Sequence, residues 1–106
     1  MTSLKEYQEE VDQWFKKKGW EYWKPLSILA RLLEECGEFA KIVNHLFGEK
    51  PKRSDEKKQD LEEEIGDILY TLICFANSRG INLDKALRKS LNTVTERDKD
   101  RYENTK

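Results

Sequence analysis

Apolar residues recur every three or four positions along most of the chain, which is the pattern of amphipathic α-helices. The first run consists of Leu4, Tyr7, Val11 and Trp14. Gly19 follows this run, and glycine commonly ends a helix at such a position. The pattern therefore predicts a first helix from about Leu4 to Lys18.

Two longer helices are predicted in the middle of the chain. Pro25 suits the first turn of the second helix, where a missing N–H costs nothing. This helix is expected to run to about Leu46 and to stop at Gly48. Ser54 can cap a third helix, which is expected to end near Gly80.

A fourth helix is predicted after Asn82, which is a suitable N-cap residue. Its apolar positions are Leu83, Leu87, Leu91 and Val94. A charged tail follows, and no segment shows the alternation typical of a strand. The sequence thus predicts an all-α, four-helix bundle-like protomer.

The second helix is apolar over more than one face. The side expected to face the core carries Leu26, Leu29, Leu33, Cys36, Ala40, Val43 and Phe47. An adjoining arc carries Ile28, Leu32, Phe39 and Leu46. A lone small protomer cannot easily cover both, so the arc predicts a subunit interface. Alternatively, the first helix or the tail covers the arc within one subunit.

Length and charge narrow the functional classes. The chain has 106 residues without a Pro/Gly/Ser-rich linker, which predicts a single domain over residues 1–106. Twenty Lys plus Arg against 21 Asp plus Glu give a net charge of −1, so polymeric nucleic acid is not an expected partner. The uncharged stretch at 68–78 is too short to span a bilayer, and the start of the chain does not read as a signal peptide. We expect a cytoplasmic protein with no membrane partner, in which Cys36 and Cys74 are reduced core thiols.

Carboxylates are concentrated in the middle helices. Glu35 with Glu38, and Glu64 with Asp67, are pairs at i and i+3, so each pair lies on one side of its helix. If the helices form an antiparallel hairpin, the pairs can converge at the edge of the core. Oxygen ligands without nitrogen or sulfur favour Mg²⁺, with Mn²⁺ as a substitute.

An ordinary solvated acidic face is the alternative interpretation. Arg31 can reach Glu34 or Glu35, and Lys41 can reach Glu38, so the second helix could neutralise itself. No Lys or Arg stands three or four positions from Glu64 or Asp67. A di-iron site fits less well, because the chain lacks the Glu-x-x-His pattern of those bundles.

Two segments together resemble a known family. Residues 32–40 read Leu-Leu-Glu-Glu-Cys-Gly-Glu-Phe-Ala, and residues 62–69 read Glu-Glu-Glu-Ile-Gly-Asp-Ile-Leu. In this order they resemble the EExxE…ExxD signature of the MazG-like, all-α nucleoside triphosphate pyrophosphatases. The resemblance extends from about Trp20 to Arg101.

The resemblance implies Mg²⁺-dependent cleavage of a nucleoside triphosphate to the monophosphate and pyrophosphate by a dimer or dimer of dimers. The residues that match the family's metal ligands are Glu35, Glu38, Glu64 and Asp67. Glu34 would lie beside the metal and could orient or deprotonate the attacking water.

The resemblance also implies substrate contacts outside the acidic helices. On the last helix Asn92, Lys89 and Arg97 match a region that holds phosphates in the family. Trp23, together with Trp20, precedes the second helix where relatives place residues of the base pocket, although a core or interface role is an alternative. The expected function is removal of unwanted or particular nucleotides from the cellular pool. A non-catalytic helical module that binds a nucleotide or a protein partner is the second hypothesis.

Overall fold

The computed structural model describes residues 2–49, 61–99 and 101, and these residues form four helices and no strand. The helices are α1 (Leu4–Lys18), α2 (Pro25–Phe47), α3 (Leu61–Arg79) and α4 (Leu83–Asp98). The predicted all-α fold with four helices is confirmed. The predicted capping by Ser54 lies outside the described residues.

Local signals set the helix ends where the sequence predicts them. The Ser3 hydroxyl accepts from the Glu6 backbone N–H while the Glu6 carboxylate accepts from the Ser3 N–H, which forms a capping box at the start of α1. Gly19 ends α1 at φ 69°, a left-handed conformation that glycine adopts without a Cβ clash. Pro25 opens α2, and the Asn82 side chain accepts from the Lys85 N–H at the start of α4.

The helices α2 and α3 form the main packing unit, α1 packs on α3, and α4 packs on α1. The buried apolar side chains of the described residues are Ile28, Ile42, Ile73 and Ala76. Two of these belong to α2 and two to α3, so the core of the protomer lies between the two acidic helices. Within the described ranges, no helix is both long enough and apolar enough to cross a membrane.

The predicted assignment of the faces of α2 is wrong. Ile28 is buried and Leu32 and Phe39 are half-buried, so most of the expected interface arc belongs to the core of the protomer. The expected core side is mainly exposed, with Leu26 80% and Phe47 76% accessible. Cys36 lies on this open side and is exposed, so it is not a core thiol, whereas Cys74 is half-buried. A helix that is apolar on both sides does not reveal from its own sequence which side its neighbour covers.

Large apolar side chains remain at the surface of the described part of the protomer. Leu33 is 65% exposed, Trp23 60% and Leu46 58%. This apolar surface is available for contact with another molecule.

A buried amide joins α1 to the turn between α3 and α4. The Gln8 side-chain amide donates to Asn77 Oδ1 at 3.0 Å and to the Ile81 carbonyl at 2.8 Å, and its oxygen accepts from the Leu83 N–H at 2.9 Å. Asn77 Nδ2 also donates to the Tyr22 hydroxyl at 2.9 Å. These bonds hold the segment between α1 and α2 against α3, and this segment forms one wall of the candidate site.

Candidate active site

Three carboxylates from the two central helices converge as the sequence predicts. Glu35 of α2 and Glu64 and Asp67 of α3 each offer one oxygen, and these oxygens all lie within 4.8 Å of one another. The acids lie on the two helices that form the main packing unit of the protomer, α2 and α3. We call these three residues the acidic group.

Burial of the acidic group costs folding free energy. Glu64 is 1% exposed, Glu35 is buried and Asp67 is half-buried. Clustered carboxylates repel one another, and a buried carboxylate loses hydration, so such an arrangement costs stability unless positive charge compensates for it. The donors of the group are oxygen atoms without nitrogen or sulfur, which suits a hard divalent cation such as Mg²⁺.

Arg31 contacts the acidic group from the side of α2. Arg31 Nε donates to Glu35 Oε1 at 2.9 Å, one helical turn away. The spacing of Arg31 and Glu35 predicts this contact, and the structure confirms it. The Arg31 side chain is 50% exposed, so it can move without disturbing the core.

The remaining acids of the predicted signature lie outside the acidic group. Glu34 and Glu38 are exposed, and neither shares the 4.8 Å spacing of the three oxygens. Glu38 is one turn beyond Glu35 and, at 100° per residue, about 60° around the helix from it, which directs it away from the packed face. Of the four metal ligands that the family resemblance implies, three therefore converge in this chain and Glu38 does not.

A cavity of about 730 Å³ opens beside the acidic group. Asp67 and Arg31 line it at one end, so the acids and the cavity form one continuous site. Its other lining residues are mainly aromatic or apolar: Phe15, Gly19, Trp20, Glu21, Tyr22, Trp23, Ile28, Tyr70, Thr71 and Cys74. The cavity therefore contains Trp20 and Trp23, the two tryptophans predicted as residues of a base pocket.

Three titratable side chains of the cavity wall, those of Tyr22, Tyr70 and Cys74, stay neutral at ordinary pH. Burial raises the pKa of Tyr22 to about 12 and that of Tyr70 to about 12. Burial also raises the pKa of the Cys74 thiol. These three side chains add no negative charge to the cavity, and its aromatic rings can receive a flat, uncharged part of a ligand.

The predicted contacts on α4 are not brought to the acidic group within one chain. Lys89 and Asn92 line a separate shallow depression on α4, and Arg97 pairs with Asp98 at 3.2 Å. All three are exposed, and none of them lines the aromatic cavity. The cavity also contains Arg31 and Tyr70, which are not among the ligand-site residues predicted from the sequence. The position of Arg31 one helical turn before Glu35 is a signal that could have indicated it.

Comparison with known proteins agrees with this geometry. A model of the MazG nucleotide pyrophosphohydrolase domain matches residues 23–102. YpjD of Bacillus subtilis (strain 168), described as an uncharacterized protein, is 45% identical over 100 residues, covering 94% of this chain and 90% of YpjD. YvdC of the same strain, also described as uncharacterized, is 28% identical over 100 residues, covering 89% of this chain and 94% of YvdC.

Two solved structures share the fold. The crystal structure of Bacillus subtilis YpjD, described as a candidate pyrophosphatase, has a TM-score of 0.81 and 42% identity, covering 92% of this chain and 98% of that one. The crystal structure of a Bacillus-conserved MazG protein, described as a nucleotide pyrophosphohydrolase, has a TM-score of 0.73 and 38% identity, covering 89% and 90%.

The helical fold and the acidic group place the protein in the class of all-α nucleotide pyrophosphohydrolases. Within that class, the chain belongs to the MazG nucleotide pyrophosphohydrolase family.

Proposed function

We propose that this protein is a Mg²⁺-dependent nucleoside triphosphate pyrophosphohydrolase that releases a nucleoside monophosphate and pyrophosphate. The observation that carries the proposal is the convergence of Glu35, Glu64 and Asp67 at one end of an aromatic cavity. This arrangement places cation ligands beside a space suited to a nucleoside. The family supports a nucleotide substrate and hydrolysis of a pyrophosphate bond.

The acidic group fits a divalent cation in its donor chemistry. Glu35, Glu64 and Asp67 would hold Mg²⁺, or Mn²⁺ in its place, and the exposed Glu38 would complete the set by rotating toward them. When bound to these residues, the cation would supply positive charge for the phosphate oxygens and would lower the pKa of a bound water. In this proposal Glu34 orients or deprotonates the attacking water.

The chain's own residues bind and orient the rest of the substrate. The rings of Trp20 and Trp23 give a surface on which a nucleobase can stack, as aromatic side chains do for unpaired bases. The neutral Tyr70 and Cys74 add apolar contact without repelling phosphate. In this proposal Asn92, Lys89 and Arg97 hold phosphates from the α4 helix of a second copy, because α4 has no buried residue within one chain.

The proposal includes a homo-oligomer of single-domain subunits, a dimer or a dimer of dimers. The open side of α2 supports it, because Leu26, Leu33 and Phe47 would otherwise remain in water. A nucleotide-pool enzyme of this kind would work in the cytoplasm on unwanted or particular triphosphates, with no polymeric nucleic acid or membrane partner.

Pyrophosphate release from a panel of ribo- and deoxynucleoside triphosphates, canonical and modified, tests this function. We expect release from at least one member with Mg²⁺ and none with EDTA. The matched variants are Asp67→Asn, which removes a proposed ligand, and Glu62→Gln, which removes an exposed charge from the same helix outside the acidic group. Turnover should be abolished in the first and retained in the second. Folded wild-type protein that releases no pyrophosphate from any member would overturn the proposal in favour of a non-catalytic module.

A further inference from the structure

Arg31 lies at the boundary between the acidic group and the aromatic cavity. Its Nε is 2.9 Å from Glu35 Oε1, and the same side chain lines the cavity that Asp67 and Trp23 line. Among the described residues that line this cavity, Arg31 is the one with a positively charged side chain. A ligand that spans the cavity and the acidic group must therefore pass beside its guanidinium.

The position of Arg31 is electrostatically unfavourable for a cation in the acidic group. Its guanidinium is a positive charge beside Glu35, which contributes one of the three converging oxygens, so it repels a divalent cation and occupies part of the hydrogen-bonding capacity of that carboxylate. Breaking the pair also costs little free energy, because the Arg31 side chain is 50% exposed and ion pairs at such sites contribute little to stability. The guanidinium fork matches phosphate oxygens in two parallel hydrogen bonds, a geometry that lysine cannot reproduce.

We infer that Arg31 exchanges partners during ligand binding. It pairs with Glu35 in the metal-free protein, and it turns to the phosphates of the nucleotide when a divalent cation occupies the acidic group. This inference rests on the proposed function and adds a phosphate-binding residue on α2. Arg31 thereby offsets part of the negative charge of the acidic group in the resting protein and contributes to substrate binding in the loaded one.

The exchange predicts opposite effects of one substitution on two ligands. Arg31→Gln removes the competitor for Glu35, so Mg²⁺ alone should bind about two- to fivefold more tightly, as expected for loss of a half-exposed ion pair. The same substitution removes a charged donor to phosphate, so the nucleotide should bind about tenfold or more weakly. A residue that only holds Glu35 in place would instead weaken Mg²⁺ binding when substituted.

Calorimetric titration separates these effects from turnover. The first titrant is Mg²⁺ alone, and the second is the α,β-imido analogue of the triphosphate that the wild type cleaves fastest, at saturating Mg²⁺. Arg31→Gln is compared with Arg31→Lys, which keeps the charge but not the fork, and with Arg79→Gln. Arg79 is exposed in the last turn of α3 and does not line the cavity, so its variant should match the wild type in both titrations.

Tighter Mg²⁺ binding together with weaker analogue binding in Arg31→Gln, and an intermediate analogue affinity in Arg31→Lys, is the expected result. Unchanged analogue affinity in Arg31→Gln, or weaker Mg²⁺ binding, would overturn the inference while leaving the proposed function intact. If the wild type cleaves no triphosphate at all, the proposed function fails first and the inference falls with it. Circular dichroism of each variant excludes unfolding as the cause.

Discussion

Replacing Asp67 by asparagine should change the stability of the protein in opposite directions with and without Mg²⁺. An oxygen of Asp67 lies within 4.8 Å of oxygens of Glu35 and Glu64. Two unit charges at this separation repel by about 3 kcal/mol at an effective dielectric constant of about 20. Asp67 is half-buried and Arg31 already offsets part of the charge of Glu35, so relief of about 1–3 kcal/mol is expected in the metal-free state.

The sign reverses when Mg²⁺ is present at high excess. A ligand at about 1,000 times its dissociation constant stabilises the native state by about 4.1 kcal/mol, which exceeds the relief of about 1–3 kcal/mol expected in the metal-free state. The wild type should gain this stabilisation, and Asp67→Asn should gain little because it has lost a ligand. Asp67→Asn is therefore expected to be more stable than the wild type in EDTA and less stable in Mg²⁺.

Thermal unfolding of both proteins at equal protein concentration, in EDTA and in Mg²⁺, measures this reversal. One kcal/mol corresponds to a Tm change of about 4 °C or more for a domain of this size. Glu62→Gln is the matched control and should shift little in either condition. If Asp67→Asn is no more stable than the wild type in EDTA, the acids do not repel one another as argued. If both proteins gain equally from Mg²⁺, Asp67 is not a ligand.

Three further predictions follow from the cavity and the open side of α2. Trp23→Ala should raise KM about tenfold with a smaller change in kcat, because base stacking on an aromatic ring contributes about 1–3 kcal/mol. The control variant Trp23→Phe should keep most of the affinity, and an unchanged KM of Trp23→Ala in steady-state kinetics would exclude Trp23 from the base pocket. Leu33→Asp should reduce the assembly to monomers in light scattering, because it places a charge on the open apolar side, and a wild-type mass near 12.6 kDa would contradict the interface. The free energy of unfolding should fall as the pH rises from 10 to 12, because the unfolded chain ionises its tyrosines near pH 10 whereas the fold holds the pKa of Tyr22 and Tyr70 at about 12. Urea unfolding at pH 8 and pH 11 measures this change, and a Tyr22→Phe variant with the same pH dependence would contradict it.

The helix ends could be predicted because their causes are local. Gly19 and Asn82 determine backbone conformation or capping within a few residues of themselves, and the structure places both where the sequence indicates. The carboxylate spacing is local in the same sense, since residues at i and i+3 share a side of any helix. These features do not depend on how the helices pack.

The faces of α2 could not be predicted because the answer lies in other parts of the chain. Leu33 and Ile28 are both strongly apolar, but Ile28 is buried whereas Leu33 is exposed, and nothing within α2 distinguishes the two. The same limit applies to Glu38, whose spacing from Glu35 is right but whose side of the helix is open. Periodicity identifies which residues lie together, and packing decides which of these sets is buried.

The most direct test of the central claim is identification of the products by ³¹P NMR. Wild-type protein with Mg²⁺ should convert a susceptible triphosphate into nucleoside monophosphate and pyrophosphate in equal amounts, and EDTA or Asp67→Asn should prevent this. Nucleoside diphosphate with orthophosphate, or cleavage that persists in EDTA, would contradict the assignment of the acidic group as a cation site for cleavage between the α- and β-phosphates.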